Sequence, residues 1–337
     1  MKEKSFMTGV ADRLSGYRSM RLVTFEEYLD YVKTRRFIQV EDTRIEVGKP
    51  WRIRDFQPRE FGLERTTVWS FPERGAWATH KGDYRGNWAP QIARNIILRY
   101  SRPGELVLDQ MCGGGTTLVE CKLLGRSAIG VDINYDAVIL TLDRLNFQYR
   151  SLGYDVEEPE IRVYHGDARN LDLIEDETVD LIATHPPYAN IIPYSKKKCV
   201  EGDLSQVRSL EEYLRGIWEI AAESFRVLKP GRFCAILIGD TRKGRHYVPI
   251  AFRVMQQFLD VGFILKEDII KVQWRTRTTG AKWAGLAKTA EECWVEKPPG
   301  KRYWTDFYLI SHEHLFIFRK PRKGEDLSKF DLSRKWW

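Results

Sequence analysis

Apolar and polar positions along this 337-residue chain follow two alternating rhythms. Short apolar runs recur at residues 106–109, 127–132, 161–165, 179–183 and 233–238. Each has the length of a strand, and their near-continuous apolar character suits strands buried on both faces. Between them the spacing becomes helical. Pro90 can start a helix whose apolar face is Ile92, Ile96, Ile97 and Tyr100. Leu118, Val119, Cys121, Leu123 and Leu124 predict a helix ended by Gly125. Further helices are expected over 135–152, 210–228 and 250–261, with Tyr213, Leu214, Ile217, Ile220 and Ala221 inward in the second and Lys229-Pro230-Gly231 breaking it. Strands over 264–274 and 313–318 complete the pattern. Strands alternating with helices predict an α/β fold with a mostly parallel sheet.

The first 66 residues lack this rhythm. Thr24-Phe25-Glu26-Glu27 reads as a capping box opening a helix with Phe25, Tyr28, Leu29 and Val32 on one face, and Arg35-Arg36 closes it favourably for its dipole. A short strand at 44–47 follows. Arg52, Arg54 and Arg59 then alternate with Trp51 and Phe56, which suits either a phosphate backbone or an arm packed on the main domain.

Charge changes the picture at the ends. The net +7 divides into +3 for residues 1–66, −3 for 67–270 and +7 for 271–337. Basic flanks around a near-neutral middle suit a bound polyanion or a solvated basic surface. The five cysteines (112, 121, 199, 234 and 293) form no C-x-x-C pair, no run is long enough to cross a membrane, and no signal-peptide core follows Met1. A cytoplasmic location is expected.

Candidate chemistry sits where the strands end. After the run at 106–109, Gly113 and Gly115 allow close approach of main chain to a ligand, and Thr116 and Thr117 open the next helix. The following strand ends on Asp132, an acid that can accept from both hydroxyls of a ribose. This is a nucleotide-binding βαβ layout without G-x-G-x-x-G, because position 118 is Leu. The run at 179–183 leads into Thr184-His185-Pro186-Pro187-Tyr188, where the prolines must end the strand. His312 and His314, two apart with no third ligand in sequence, read as structural, and no metal is expected.

These two turns together, in this order, resemble the cofactor and catalytic motifs of the S-adenosylmethionine-dependent DNA amino-methyltransferases acting on cytosine N4 or adenine N6. The family pattern Asp-Pro-Phe-Cys-Gly-Ser-Gly-Thr corresponds to Asp109-Gln110-Met111-Cys112-Gly113-Gly114-Gly115-Thr116. The resemblance implies a Rossmann-like class I fold: a mostly parallel seven-stranded sheet with an antiparallel edge hairpin. It also implies that Pro90, Asp109, Met111, Cys112, Gly113, Gly115, Thr116, Thr117, Asp132, Ile133, Asp167, Ala168 and Thr184 line the S-adenosylmethionine site. In that family Asp167 would accept from the adenine amine, and residues 84–90 would pack on the methionine part, although Trp88 reads equally well as a core aromatic. The first motif residue is ordinarily Asp, Asn or Ser. Here His185 stands in its place, and a neutral imidazole can accept through one nitrogen. His185 and the Pro186 carbonyl would hold the target amine, with Pro187 fixing the turn and Tyr188 stacking on a base flipped out of the duplex. The nitrogen would attack the methyl group in line. No Pro-Cys motif supports the covalent chemistry of cytosine-C5 enzymes.

The resemblance covers residues 75–274 and 311–320. Residues 1–74 are an arm that would contact DNA. Residues 275–310 interrupt the expected hairpin and read as a basic target-recognition insert carrying Arg275, Arg277, Lys282 and Trp283. Lys196, Lys197 and Lys198 on the loop after the catalytic turn are further DNA-contact candidates, and 321–337 is a basic tail. The reading is a double-stranded-DNA methyltransferase, cytosine N4 ahead of adenine N6, with a cognate restriction endonuclease as a candidate partner. The alternatives are an RNA (guanine N2) or protein-glutamine methyltransferase, or a non-catalytic DNA-binding protein with a relict cofactor fold.

Overall fold

Among the described residues, nine strands form one sheet around which the chain is layered. The computed structural model describes residues 16–40, 43–84, 86–149, 158–188, 200–207, 209–243, 245–274, 296–297, 301–302 and 307–335. The strands are β1 (Arg21–Leu22), β4 (Val68–Ser70), β5 (Leu106–Asp109), β6 (Ser127–Asp132), β7 (Ile161–His165), β8 (Val179–Thr184), β9 (Leu228–Ile238), β12 (Ile264–Val272) and β15 (His312–Arg319), in the order β1-β7-β6-β5-β8-β9-β15-β12-β4. The pairs from β7 through β9 are parallel, and β15 runs antiparallel between β9 and β12. The expected seven strands are all present, and β1 and β4 add one strand at each edge. Small two-stranded ribbons are made by β2 (Phe37–Val40) with β3 (Thr43–Glu46), by β10 (Thr241–Lys243) with β11 (His246–Val248), and by β13 (Glu296–Lys297) with β14 (Lys301–Arg302).

Alternation along the strands loads both faces. Val107, Leu181, Ala183, Ala235 and Leu237 pack with α2 (Pro90–Tyr100), α3 (Thr116–Leu124) and α4 (Tyr135–Leu145). Leu108, Ile182, Cys234, Ile236 and Phe316 pack on the other face with α5 (Leu210–Val227) and α6 (Ile250–Val261). Full burial of each Val, Leu, Ile or Phe among these stabilises by about 1.5–3 kcal/mol. Helix α4 stops at Leu145, short of the expected 152, with Asn146 as its C-cap and its backbone N–H on the Asp143 carbonyl. Strand β9 starts at Leu228, directly after α5, so Lys229-Pro230-Gly231 ends the helix as expected yet belongs to the strand. There the β8–β9 register shifts, and a bulge accommodates the proline.

The N-terminal arm is built into this core. Thr24 caps α1 (Phe25–Thr34), accepting from the Glu27 N–H. Tyr28 is buried and donates to Asp143 at 2.8 Å. Trp51 donates to the Asp143 carbonyl, and Phe56 packs on Phe147 and Tyr149. Tyr28, Trp51 and Phe56 therefore face inward, while Phe25, Phe37, Arg52, Arg54 and Arg59 are exposed. After β15 the chain does not simply trail away. Buried Lys320 donates to the carbonyls of Phe225 and Leu228, and residues Leu327–Ser333 form a 3-10 turn.

Candidate active site

The C-terminal ends of the parallel strands converge on one rim, where the strand order reverses beside β5. The glycine turn after β5 requires its glycines. Gly113 has φ +50°, and a Cβ there would meet the Tyr84 ring at 2.9 Å. Gly115, at φ +76°, is the N-cap of α3. Cys112 donates its N–H to the Val131 carbonyl, its own carbonyl accepts from the Gly115 N–H, and its side chain is buried. It thus shapes the turn from within. Thr117 donates to Asp109 at 2.5 Å, and Thr116 donates to Asn87.

Three acids end or follow three neighbouring strands. Asp109 is buried at the end of β5, and burial raises its pKa to about 6 against hydrogen bonds from Thr117 and the Met111 N–H. Asp132 ends β6 and accepts from the N–H groups of Gly113 and Asn134, each at 2.8 Å. Burial pushes its pKa up to about 7 despite those donors. Asp167 follows β7 and is gripped by Arg169, Nε to Oδ1 at 2.9 Å and Nη2 to Oδ2 at 2.6 Å. Its Oδ1 also accepts the Arg169 N–H, so the carboxylate already has protein partners. Arg169 lies 4.1 Å over the Tyr17 ring, which carries the N-terminal residues to the same rim. Ala168 is buried beside it, and Pro90 begins α2.

The turn after β8 presents His185 and Tyr188. The Pro187 carbonyl accepts from the buried Tyr213 hydroxyl at 2.9 Å. Trp88 is buried and stacks on the His185 ring, with centroids 6.1 Å apart and planes at 23°. It is therefore a core aromatic and a wall of the site together. His185 Nε2 lies 3.0 Å from the Tyr188 hydroxyl, and that hydroxyl donates to Glu313. Glu313 is in turn 2.8 Å from Lys271 Nζ. A Cβ at Gly239, after β9, would stand 3.1 Å from the Tyr188 ring, so glycine there leaves room for it. His185 Nδ1 is buried with no hydrogen-bond partner among the described residues. Burial lowers the His185 pKa and Lys271 adds to this, opposed by Glu313 and the Gly86 backbone. The ring is neutral near pH 7, so it can accept a hydrogen bond.

Sequence reasoning left Trp88 divided between the site and the core, and it missed Glu313, Lys271, Tyr213 and Gly239. Of these only Trp88 lay inside a motif; the others arrive from distant strands and helices. Asp240, at the same rim, accepts from Tyr247 and from the Ala251 N–H, so it caps α6. His314 pairs with Asp268 at 3.0 Å. Lys196, Lys197, Lys198, Arg275, Arg277, Lys282 and Trp283 lie outside the described residues.

Residues 18–142 and 179–335 match the DNA methylase family of the N6/N4 type. Among curated proteins, the chain is 34% identical over 158 residues to a tRNA (guanine(10)-N2)-dimethyltransferase of Methanothermobacter thermautotrophicus, across 44% of each protein. It is 31% identical over 167 residues to the Type II methyltransferase M.BglII of Bacillus subtilis, across 49% of this chain and 42% of that one. The chain thus spans under half the length of these two relatives. A solved SAM-dependent methyltransferase from Methanosarcina mazei is 16% identical, over 67% of this chain and 97% of that one, with a TM-score of 0.41.

Proposed function

The chain belongs to the N6/N4 DNA methylase family, and from that premise we propose that it methylates the exocyclic amine of a base in double-stranded DNA, cytosine N4 ahead of adenine N6. Its methyl donor is S-adenosylmethionine. The rim suits that cofactor. Asp132 is buried, has only backbone donors and no cation partner among the described residues, and so fits a ribose diol. The glycine turn leaves space where a Cβ would collide with Tyr84. Asp132 would hold the ribose, residues 113–115 the amino-acid part, and Asp167 the adenine amine through a lone pair not used by Arg169. Bound, the cofactor supplies an electrophilic methyl group.

The observation that carries the reading is the bare, buried Nδ1 of neutral His185 at this rim. An exocyclic amine is planar and a poor nucleophile until its hydrogens are held. Nδ1 and the Pro186 carbonyl would accept those two hydrogens and draw the nitrogen toward tetrahedral geometry. Tyr188, partly open to solvent, offers a ring face for the flipped base. Residues 275–310 would serve as target-recognition insert and 1–74 as a flanking arm. Thr184 and the missing acid at 185 favour cytosine.

The tRNA relative supports one second reading, a guanine-N2 amine in RNA, which poses the same chemical problem. Transfer of labelled methyl to duplex DNA, tRNA and protein, with mass spectrometry of the digested nucleosides, separates them. N4-methylcytosine from DNA is the expected product. Labelled N2-methylguanosine from tRNA alone would overturn the DNA assignment. Neutralising Arg275, Arg277 and Lys282 together should flatten the log–log salt dependence of duplex binding, by about 0.9 for each phosphate that these side chains neutralise in the native complex.

A further inference from the structure

A cross-strand ion pair sits behind the catalytic turn. Lys271 of β12 is the register partner of Glu313 of β15. Their side chains are 18% and 8% exposed, and Nζ lies 2.8 Å from Oε2. A buried pair of this kind adds little net stability over apolar residues of similar volume. This one touches the site, because the other Glu313 oxygen accepts from the Tyr188 hydroxyl, whose oxygen in turn lies 3.0 Å from His185 Nε2.

Proton counting orders this chain. An ionised carboxylate only accepts, and a tyrosine hydroxyl has one proton. Against its burial, the Lys271 charge and hydrogen bonds from Lys271 and Tyr188 hold the Glu313 pKa below the usual carboxylate value. Burial and Glu313 push that of Tyr188 well up, so its hydroxyl stays protonated. The tyrosine proton therefore points at Glu313. Its oxygen can then only accept from His185, which places the single imidazole proton on Nε2. Nδ1 is left as a lone pair, the state an amine acceptor needs.

We propose that Glu313 and Lys271 are positioning residues that act through Tyr188 to hold His185 in its Nε2–H tautomer, keeping Nδ1 bare for the target amine. This rests on His185 being the amine acceptor. A plain ion pair joining β12 to β15 would need no effect on the imidazole, and the Gly86 backbone, which also reaches the ring, would favour a proton on it.

Glu313→Gln separates these. The amide is isosteric, but Lys271 demands its one oxygen, so its NH2 turns to Tyr188. The tyrosine proton must then go to His185 Nε2, which forces the proton onto Nδ1. Two readouts on the full-length protein follow: the 15N pattern of the His185 ring, and single-turnover methyl transfer with labelled S-adenosylmethionine on duplex DNA. Wild type should show the Nε2–H pattern. Glu313→Gln should show Nδ1–H and a rate lower by roughly 10²–10⁴-fold, with cofactor affinity near wild type, while Lys271 without its charge partner lowers the melting temperature. Adding Lys271→Met frees the amide oxygen to face Tyr188 and should recover rate relative to Glu313→Gln alone. A merely structural pair predicts no recovery. The proposal falls if wild type shows Nδ1–H, if Glu313→Gln keeps the wild-type tautomer, or if the tautomer flips with the rate unchanged. The underlying reading fails separately, if His185→Ala transfers methyl as fast as wild type, and the ring spectrum still reports on the network in that case.

Discussion

On the cofactor side of the rim, Asp109, Asp132 and Asp167 take their hydrogen bonds from donors no more than 19 residues away in sequence. On the target side, Tyr188 reaches Glu313 across 125 residues, Glu313 meets Lys271 across 42, and Pro187 meets Tyr213 across 26. The first half is made by strand-turn-helix units that carry their own partners. The second is assembled only when β8, β9, β15 and β12 lie side by side. One rim thus holds a self-contained binding half and a half whose chemistry depends on the register of the whole sheet.

Substitutions should separate these halves. The largest effect belongs to the target side. His185→Ala should lower the single-turnover rate by roughly 10²–10⁴-fold, the usual contribution of a positioned acid–base group, while calorimetric affinity for S-adenosylmethionine stays at the wild-type value. The reacting ring must be neutral, so activity should fall as pH drops. Because burial depresses the His185 pKa, the midpoint should lie below the free-histidine value of about 6.5. A midpoint above that value would contradict the buried, neutral ring.

Next comes Asp132→Ala, which removes a charge-assisted ribose contact and should cost about 1.5–3 kcal/mol of cofactor affinity. Saturating cofactor should restore most of the rate, and a rate loss that survives saturation would show that the halves are not separable. A smaller effect follows from the pH dependence of the same group. With the free-enzyme Asp132 pKa at about 7, ribose hydroxyls favour the ionised form, so binding releases a proton. Affinity should climb with pH through this range by at most about ten-fold per unit. Calorimetry in buffers of different ionisation heat would reveal the proton, and pH-independent binding would remove Asp132 from the ribose. The smallest effect is that of Tyr213→Phe. It deletes one hydrogen bond to the Pro187 carbonyl and should cost about 0.5–1.5 kcal/mol in thermal unfolding. A change in cofactor affinity there would be unexpected.

The same division explains what could be read from the sequence. The apolar runs and helical spacing sufficed for the seven core strands and five of the helices, because each signal is local. Gly113, Gly115 and Asp132 were legible for that reason. Glu313 and Lys271 were not, since each reads as one more surface charge on an edge strand until β15 is placed beside β9 and β12. The edge strands β1 and β4 also escaped notice. At two and three residues they are too short to show a period, and their pairing is decided by partners far along the chain. The end of α4 was misplaced because Asn146 caps the helix where the apolar pattern alone would have continued it.

The embrace of the sheet by the N-terminal arm bears on how the chain folds as it is made. Val68 pairs with Ile270, and Arg21 with His165. At a synthesis rate of about 5–20 residues per second, β4 waits roughly 10–40 s for the strand it must join. During that interval Trp69, buried in the finished protein, has no sheet edge to lie on. Strand β4 is thus made well before it can settle. Newly made chains should therefore expose the apolar side of β4 to a holding chaperone, and pulse-labelled hydrogen exchange should find β4 protected only after β12.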